Sequence, residues 1–189
     1  MIITRAPLRV SFAGGGTDIP DFYTNYGPGV VVSTAIDRYV YVTLNEKFDG
    51  KVSVRYSAHE NAESVKELKH VLIREALLFY GIQNGVEIVV ASEVPARGSG
   101  LGASSAMTVA LCLALEKFTG KTFPGNYGVF AESQLAETAA RIEIEICGSP
   151  IGKQDHYASA FGGLNRFEFN TDGTVEVQKF PEGDFSREI

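Results

Sequence analysis

Pro95-Ala96-Arg97-Gly98-Ser99-Gly100-Leu101-Gly102-Ala103-Ser104-Ser105-Ala106 is the stretch whose reading decides the fold. It lies between Val86-Glu87-Ile88-Val89-Val90-Ala91, an apolar run with strand character, and Met107 to Phe118, a run with helical character. Glycine at 98, 100 and 102 lets the backbone turn tightly and carry its N–H groups up to a ligand. The helix that follows aims its positive end and its unpaired N–H donors at the same point. Together these features make an anion site, and phosphate is the anion such sites most often hold. Ser104 and Ser105 in the first turn add hydroxyls for a phosphate oxygen or a magnesium ion. Glycines alone leave a second reading open, a tight turn with a serine N-cap. Two familiar nucleotide motifs are excluded. No lysine follows Gly102, as a P-loop requires, and Gly100-Leu101-Gly102 is followed by Ala103-Ser104-Ser105 rather than by a third glycine.

The composition, 44% hydrophobic and 21% charged over 189 residues, is that of an ordinary globular domain. A net charge of −6 gives nucleic acid no electrostatic hold. No apolar stretch approaches the ~20 residues of a membrane-spanning helix, so no membrane contact is expected. Cys112 and Cys147 stand far apart in apolar helical contexts and read as buried free thiols of a reducing compartment. The N-terminus runs straight into strand-like sequence, and the expected location is the cytoplasm. No Cys/His cluster has zinc spacing.

Alternation and β-branched content predict strands at 2–6, 8–13, 29–36, 39–45, 52–56, 86–92, 163–169 and 175–180. Ser64-Val65-Lys66-Glu67 has the form of a capping box, opening a helix that carries Leu68, Val71, Leu72 and Phe79 and stops at Gly81. A second helix runs from Ser104 to Gly120. A third is predicted from about Asn126 to Ile146, with Leu135, Ala139, Ile142 and Ile146 as its buried stripe and Gly148-Ser149-Pro150 as its stop. Strands first, then helices mixed with strands, point to an α+β domain rather than a regular βαβ array. Residues 1–180 are expected to form it, with 181–189 as a linker.

Three further constellations carry polar chemistry. Pro7-Leu8-Arg9-Val10-Ser11-Phe12-Ala13-Gly14-Gly15-Gly16-Thr17-Asp18 takes a strand into three glycines and then presents a hydroxyl and a carboxylate. Arg9 is placed to neutralise phosphate and Asp18 to accept from sugar hydroxyls, although the same residues equally form a plain loop. Gly148-Ser149-Pro150-Ile151-Gly152-Lys153-Gln154-Asp155-His156 sets a cation and a carboxylate two apart on a glycine-flanked turn, fit for charge stabilisation and proton acceptance or for a surface ion pair. Glu143 and Glu145 cannot share a helix face. Glu143 lies at the edge of the buried stripe, where a carboxylate wants a cation; solvated glutamates are the alternative. A Ser/His/Asp triad is rejected, because His59, His70 and His156 stand in no triad context and Asp155 and His156, as neighbours, point apart.

Taken together, these segments resemble the GHMP kinases, the group that includes galactokinase and the homoserine, mevalonate and phosphomevalonate kinases. The glycine–serine loop is similar to that family's ATP motif, Pro-x-x-x-Gly-Leu-Gly-Ser-Ser-Ala, with Gly98 and Ala103 as extra or altered positions. Galactokinases carry Gly-Glu-His-Thr-Asp where this chain has Gly14-Gly15-Gly16-Thr17-Asp18, which argues against galactose as acceptor. That segment, with Gly152-Lys153-Gln154-Asp155, resembles the sugar 1-kinases that act on D-glycero-D-manno-heptose 7-phosphate, with L-fucokinase-type enzymes as near relatives. The resemblance implies a ribosomal protein S5 domain 2-like fold, a mixed β-sheet packed with helices, and a chain that lacks the family's C-terminal domain.

Roles follow from the resemblance. Pro95, Arg97, Gly98, Ser99, Gly100, Leu101, Gly102, Ala103, Ser104 and Ser105 would bind ATP. Ser104 (or Ser105, if the loop shifts register) and Glu143 would hold Mg2+. Asp155 would be the catalytic aspartate, Arg9 would stabilise the transferring phosphoryl charge, Lys153 would contact the acceptor's own phosphate or lower the barrier electrostatically, and Gly15, Gly16, Thr17 and Asp18 would bind the sugar or sugar phosphate. Without the second domain the chain is expected to be inactive and prone to form a homodimer through the exposed face. A non-catalytic nucleotide-binding or structural domain on the same fold is the second reading.

Overall fold

The computed structural model describes residues 1–94, 99–121 and 131–181. Pro95, Arg97, Gly98, the expected start of the third helix and nearly all of the expected linker fall outside the described residues. In chain order the elements are β1 (Ile2–Ala13), α1 (Pro20–Tyr26), β2 (Gly29–Glu46), β3 (Val52–Arg55), β4 (His59–Ala62), α2 (Val71–Phe79), β5 (Val86–Ser92), α3 (Ala103–Thr119), α4 (Ala131–Ala140), α5 (Gln154–Phe161), β6 (Leu164–Phe169) and β7 (Val175–Lys179).

One long strand organises the sheet. β2 pairs antiparallel with β1 along its length, while its second half takes β5 and its first half takes β6. The seven strands run β4-β3-β5-β2-β6-β7 with β1 on β2, and only β3 and β5 are parallel, joined through the α2 crossover. Residues 29, 31 and 33 and then 40, 42 and 44 of β2 are buried, and the helices cover that face. This is the expected two-layer α+β arrangement.

Two irregularities in the β1–β2 ladder explain its exposure pattern. Between the pairs Pro7–Tyr39 and Arg9–Ala35, three β2 residues stand against Leu8 alone, and Asp37 and Arg38 loop out into solvent. Between Ser11–Ser33 and Ala13–Val32 the extra residue is Phe12, which is why so large an apolar side chain is exposed. The strands predicted as 2–6 and 8–13, and as 29–36 and 39–45, are therefore two continuous strands with bulges.

α3 is the axis of the helical layer. Leu111, Cys112, Ala114 and Leu115 are fully buried between the sheet and the other helices. Each buried leucine contributes about 2 kcal/mol. Cys112 is buried and Cys147 half-buried, both free thiols. Among the described residues no helix is long and apolar enough to cross a membrane.

Three expectations are corrected. The Ser64–Glu67 segment forms no capping box, since the Ser64 hydroxyl donates to Glu67 Oε1 at 3.3 Å, and it opens only a single 3-10 turn, Val65–Glu67; α2 starts at Val71, where His70 Nδ1 accepts from Ile73 N at 3.4 Å. The third helix is not uniformly α-helical, since α4 passes at Arg141–Ile146 into a wider π-helical turn with Cys147 N donating to Ile142 O at 3.0 Å. The segments read as loop and turn hold α1, opened by Pro20 at its first position, and α5.

Candidate active site

The glycine loop enters α3 with Gly100 and Gly102 both left-handed, at φ 66° and 74°. The first helical bond runs from Ala106 N to Gly102 O at 2.9 Å, so the N–H groups of Ala103, Ser104 and Ser105 have no intrahelical acceptor. Arg9 fastens this loop to the sheet. Its N–H donates to Leu101 O at 3.1 Å and its Nη1 to Gly100 O at 2.7 Å. Ser99 Oγ accepts from Leu101 N at 3.4 Å.

The rest of the Arg9 guanidinium goes to Asp155, in the first turn of α5. Nε and Nη2 both reach Oδ1, at 2.6 and 2.5 Å. Oδ2 faces Gly102 instead, close enough that a β-carbon there would stand 3.0 Å from it. Burial raises the Asp155 carboxyl above the usual aspartate range; Arg9 and His156 oppose the rise without cancelling it. A carboxylate with one oxygen anchored and the other open, made more basic by burial, is suited to accept a proton.

Beside it lies a second carboxylate centre. The π-helical turn carries Glu143 inward, 2% exposed, while Glu145 points to solvent and meets Arg141 at 3.6 Å. Ser104 Oγ donates to Glu143 Oε1 at 2.5 Å, and Thr108 Oγ1 and His156 Nε2 meet Oε2 at 3.0 and 2.8 Å. Burial would raise this carboxyl, but the bonds from His156, Ser104 and Thr108 outweigh it and hold it below the ordinary glutamate range. Ser105 is buried in the helical layer, so it is Ser104 that faces Glu143. Thr108, one turn after Ser104 on the same face, was legible as an i,i+4 pair. His156 was weighed only as a triad member; its partner lies 13 positions back, and no local pattern marks it.

The Gly14–Asp18 loop is held by its own bonds. Thr17 donates its hydroxyl to Gly14 O at 2.8 Å and to Val30 O at 3.2 Å. Asp18 is 1% exposed and accepts from Gly16 N at 3.2 Å, Gln154 N at 3.0 Å and Gln154 Nε2 at 3.3 Å, so it caps α5. Gly152 packs directly on the Asp18 carboxylate, leaving no room for a side chain. Lys153 Nζ lies between the two Glu137 oxygens at 2.8 and 3.0 Å and reaches Gly173 O at 3.4 Å, while Tyr157 donates to the same glutamate at 2.6 Å. The structure thus brings Arg9, Gly100, Gly102, Ser104, Glu143 and Asp155 together, with Asp18 against α5 and the Lys153 ammonium bonded elsewhere.

Cavities open on both sides of this centre. One, of about 220 Å³, is walled by Gly16, Asp18, Ile19, Gly152, Gln154 and Asp155. The other side holds a trough of about 600 Å³ lined by Tyr56, Lys69, His70, Val90 and Met107, continued by a space of about 290 Å³ that reaches Ser104. Of those trough residues only His70 was weighed in the sequence, as a triad base, because they come from four separate segments.

Comparison with known proteins settles the family. The family model described as "GHMP kinases N terminal domain" matches residues 63–163. This chain belongs to the GHMP kinases. As a GHMP kinase it is 34% identical over 189 aligned residues to D-glycero-alpha-D-manno-heptose 7-phosphate kinase of Campylobacter jejuni, covering 93% of this chain and 53% of that protein. It is 33% identical over 141 residues to mevalonate kinase of Methanothermobacter thermautotrophicus, with 70% and 41% covered. The crystal structure of a D-glycero-D-manno-heptose 1-phosphate kinase from Bacteriodes thetaiotaomicron superposes with a TM-score of 0.85 at 27% identity, over 97% of this chain and 61% of that one. The chain thus spans about half the length of the curated relatives it matches.

Proposed function

We propose that this GHMP kinase chain is the ATP-binding and proton-accepting part of a sugar 1-kinase, whose acceptor is a heptose 7-phosphate or a similar sugar. The observation that carries the reading is the junction of Gly102, Asp155 and Arg9, with the Ser104–Glu143 pair beside it and a cavity on each side.

In this reading the base and ribose of ATP occupy the trough beside Tyr56, His70 and Met107. The loop amides and the first turn of α3 receive the phosphates. Ser104 and Glu143 offer a hydroxyl and a carboxylate, hard oxygen donors of the kind that bind Mg2+ together with substrate phosphates. Bound there, the ion would neutralise charge on the phosphates. The sugar lies in the cavity of Gly16, Asp18 and Gln154. Asp155 Oδ2 takes the proton of the anomeric hydroxyl as its oxygen bonds to the γ-phosphorus, and the bond from that phosphorus to the bridging oxygen breaks, releasing ADP. Arg9 anchors Asp155 and adds positive charge where the phosphoryl group passes. Such chemistry depends mainly on positioning and charge. Lys153 serves as a positioning residue, bracing the segment that carries Gln154 and Asp155.

The test is binding of a non-hydrolysable ATP analogue with and without MgCl2, by calorimetry, for the chain and for Ser104→Ala and Glu143→Gln. Magnesium is expected to tighten binding at least about tenfold in the parent and not in the variants. Equal enhancement in all three, or no binding at millimolar analogue, contradicts the reading.

A further inference from the structure

Gln154 lines the acceptor cavity, and the orientation of its amide is dictated by its neighbour. Gln154 Nε2 lies 3.3 Å from Asp18 Oδ1. A carboxylate accepts and cannot donate, so the amide must turn its NH2 toward Asp18 and its Oε1 away. That Oε1 is buried and has no partner among the described residues. Ser11 Oγ is in the same condition, and both side chains border Gly15. A β-carbon on Gly15 would stand 3.9 Å from Gln154 Nε2 and 3.9 Å from Ser11 Oγ. Buried polar atoms without partners are few in native proteins, and two around one glycine, one of them on a residue that lines the acceptor cavity, call for a common explanation. Of the other two such atoms, Ser33 Oγ and His156 Nδ1, both belong to fully buried residues that line no described cavity.

We propose that Gln154 is a specificity-determining residue. Its Oε1 accepts a hydrogen bond from an acceptor hydroxyl other than the one phosphorylated, and Ser11 Oγ shares that hydroxyl. This inference rests on the sugar-kinase reading and deepens it. The side-chain chemistry makes it selective. With the Asp18 carboxylate directly behind the amide, the position attracts a neutral donor and repels an anion. Any phosphate the acceptor already carries must therefore lie away from Gln154. Glycine at position 15 places no side chain against the two groups, where a β-carbon would touch both.

The experiment measures binding of D-glycero-D-manno-heptose 7-phosphate by calorimetry in the presence of the non-hydrolysable ATP analogue, for the parent, Gln154→Met and Ser11→Ala. Methionine keeps the length and volume, and its thioether accepts only weakly. Ser11→Ala leaves the Asp18 contact untouched, so it stands as the second variant should Gln154→Met fold poorly. Loss of one buried hydrogen bond is expected to raise the sugar Kd about tenfold in Gln154→Met and several-fold in Ser11→Ala, with the analogue's own Kd changed less than about twofold. Among monodeoxy forms of the sugar, one is expected to bind the parent about tenfold more weakly, and Gln154→Met should bind that form as well as it binds the parent sugar. Unchanged sugar affinity in both variants overturns the role of Gln154 while leaving the kinase reading intact. A parent chain that binds the analogue but no sugar overturns the kinase reading, and this inference with it.

Discussion

Gly102 tests the geometry of the site most directly, because two separate costs meet at one α-carbon. Its φ of 74° is left-handed, and an added β-carbon would stand 3.0 Å from Asp155 Oδ2 and 3.1 Å from Cγ. Asp155 cannot simply withdraw, since Oδ1 is held at 2.6 Å by Arg9. The left-handed backbone alone costs an alanine about 1–2 kcal/mol. Crowding the anchored carboxylate adds about 1–2 kcal/mol more. The lower entropy of unfolded alanine returns about 0.5–1 kcal/mol. Gly102→Ala should therefore destabilise the chain by about 2–3 kcal/mol. Gly100 provides the control, with φ 66° and nothing within 4 Å of an added β-carbon, so Gly100→Ala should lose only about 1 kcal/mol, the backbone share. Urea unfolding resolves the difference, since ~1.5 kcal/mol at a slope of ~2 kcal/mol/M moves the midpoint by about 0.7 M. In an Asp155→Ala background the two glycine substitutions should cost the same. The reasoning is refuted if Gly102→Ala is no worse than Gly100→Ala, or if its excess survives removal of Asp155.

Two further outcomes follow from the same packing. Gly152→Ala drives a methyl into the Asp18 carboxylate and carbonyl, and Asp18 is tied to Gly16 and Gln154, so a loss of about 2–3 kcal/mol is expected in thermal or urea melts; a loss under about 0.5 kcal/mol would mean that the Asp18 loop yields freely. Burial raises the Asp155 carboxyl despite Arg9, so proton acceptance is lost as pH falls through that raised value, and in a kinase that joins this chain to a GHMP C-terminal domain the acid limb of phosphoryl transfer should lie above the usual aspartate range of about 4. Asp155→Asn should lower the rate by about 10²–10⁴ and abolish the limb, and a limb at or below about 4 would contradict the effect of burial.

The parts legible from the sequence were those written in consecutive residues. The strand–glycine–helix run from Val86 to Phe118 is a local signal, and so is the exclusion of Glu145 from the face that buries Glu143. What the sequence hid was long-range pairing. His70 displaced Ser64 as the α2 cap because Glu60 accepts from the N–H groups of Lys69 and His70, a contact set by the β3–β4 hairpin. α5 escaped notice because its eight residues are flanked by glycines and its N-terminus is satisfied by Asp18, 136 positions earlier. Asp18 itself was read as a sugar ligand, and its bonds to Gln154 were beyond any spacing argument. Lys153 and Asp155 looked like partners two positions apart, yet each pairs with a residue of a different element.

The slip of the ladder opposite Leu8 has a further effect. Along β1 the buried positions run 4, 6, 8 and then 9, so an aliphatic side chain and a guanidinium enter the protein interior from consecutive residues. A strictly alternating strand would send one of them to solvent. The looped-out Asp37-Arg38 pair of the partner strand is thus a phase adjuster for Arg9. Trimming it by a single residue would leave most of the sheet intact while rotating the only described link between the first strand and Asp155 out of reach.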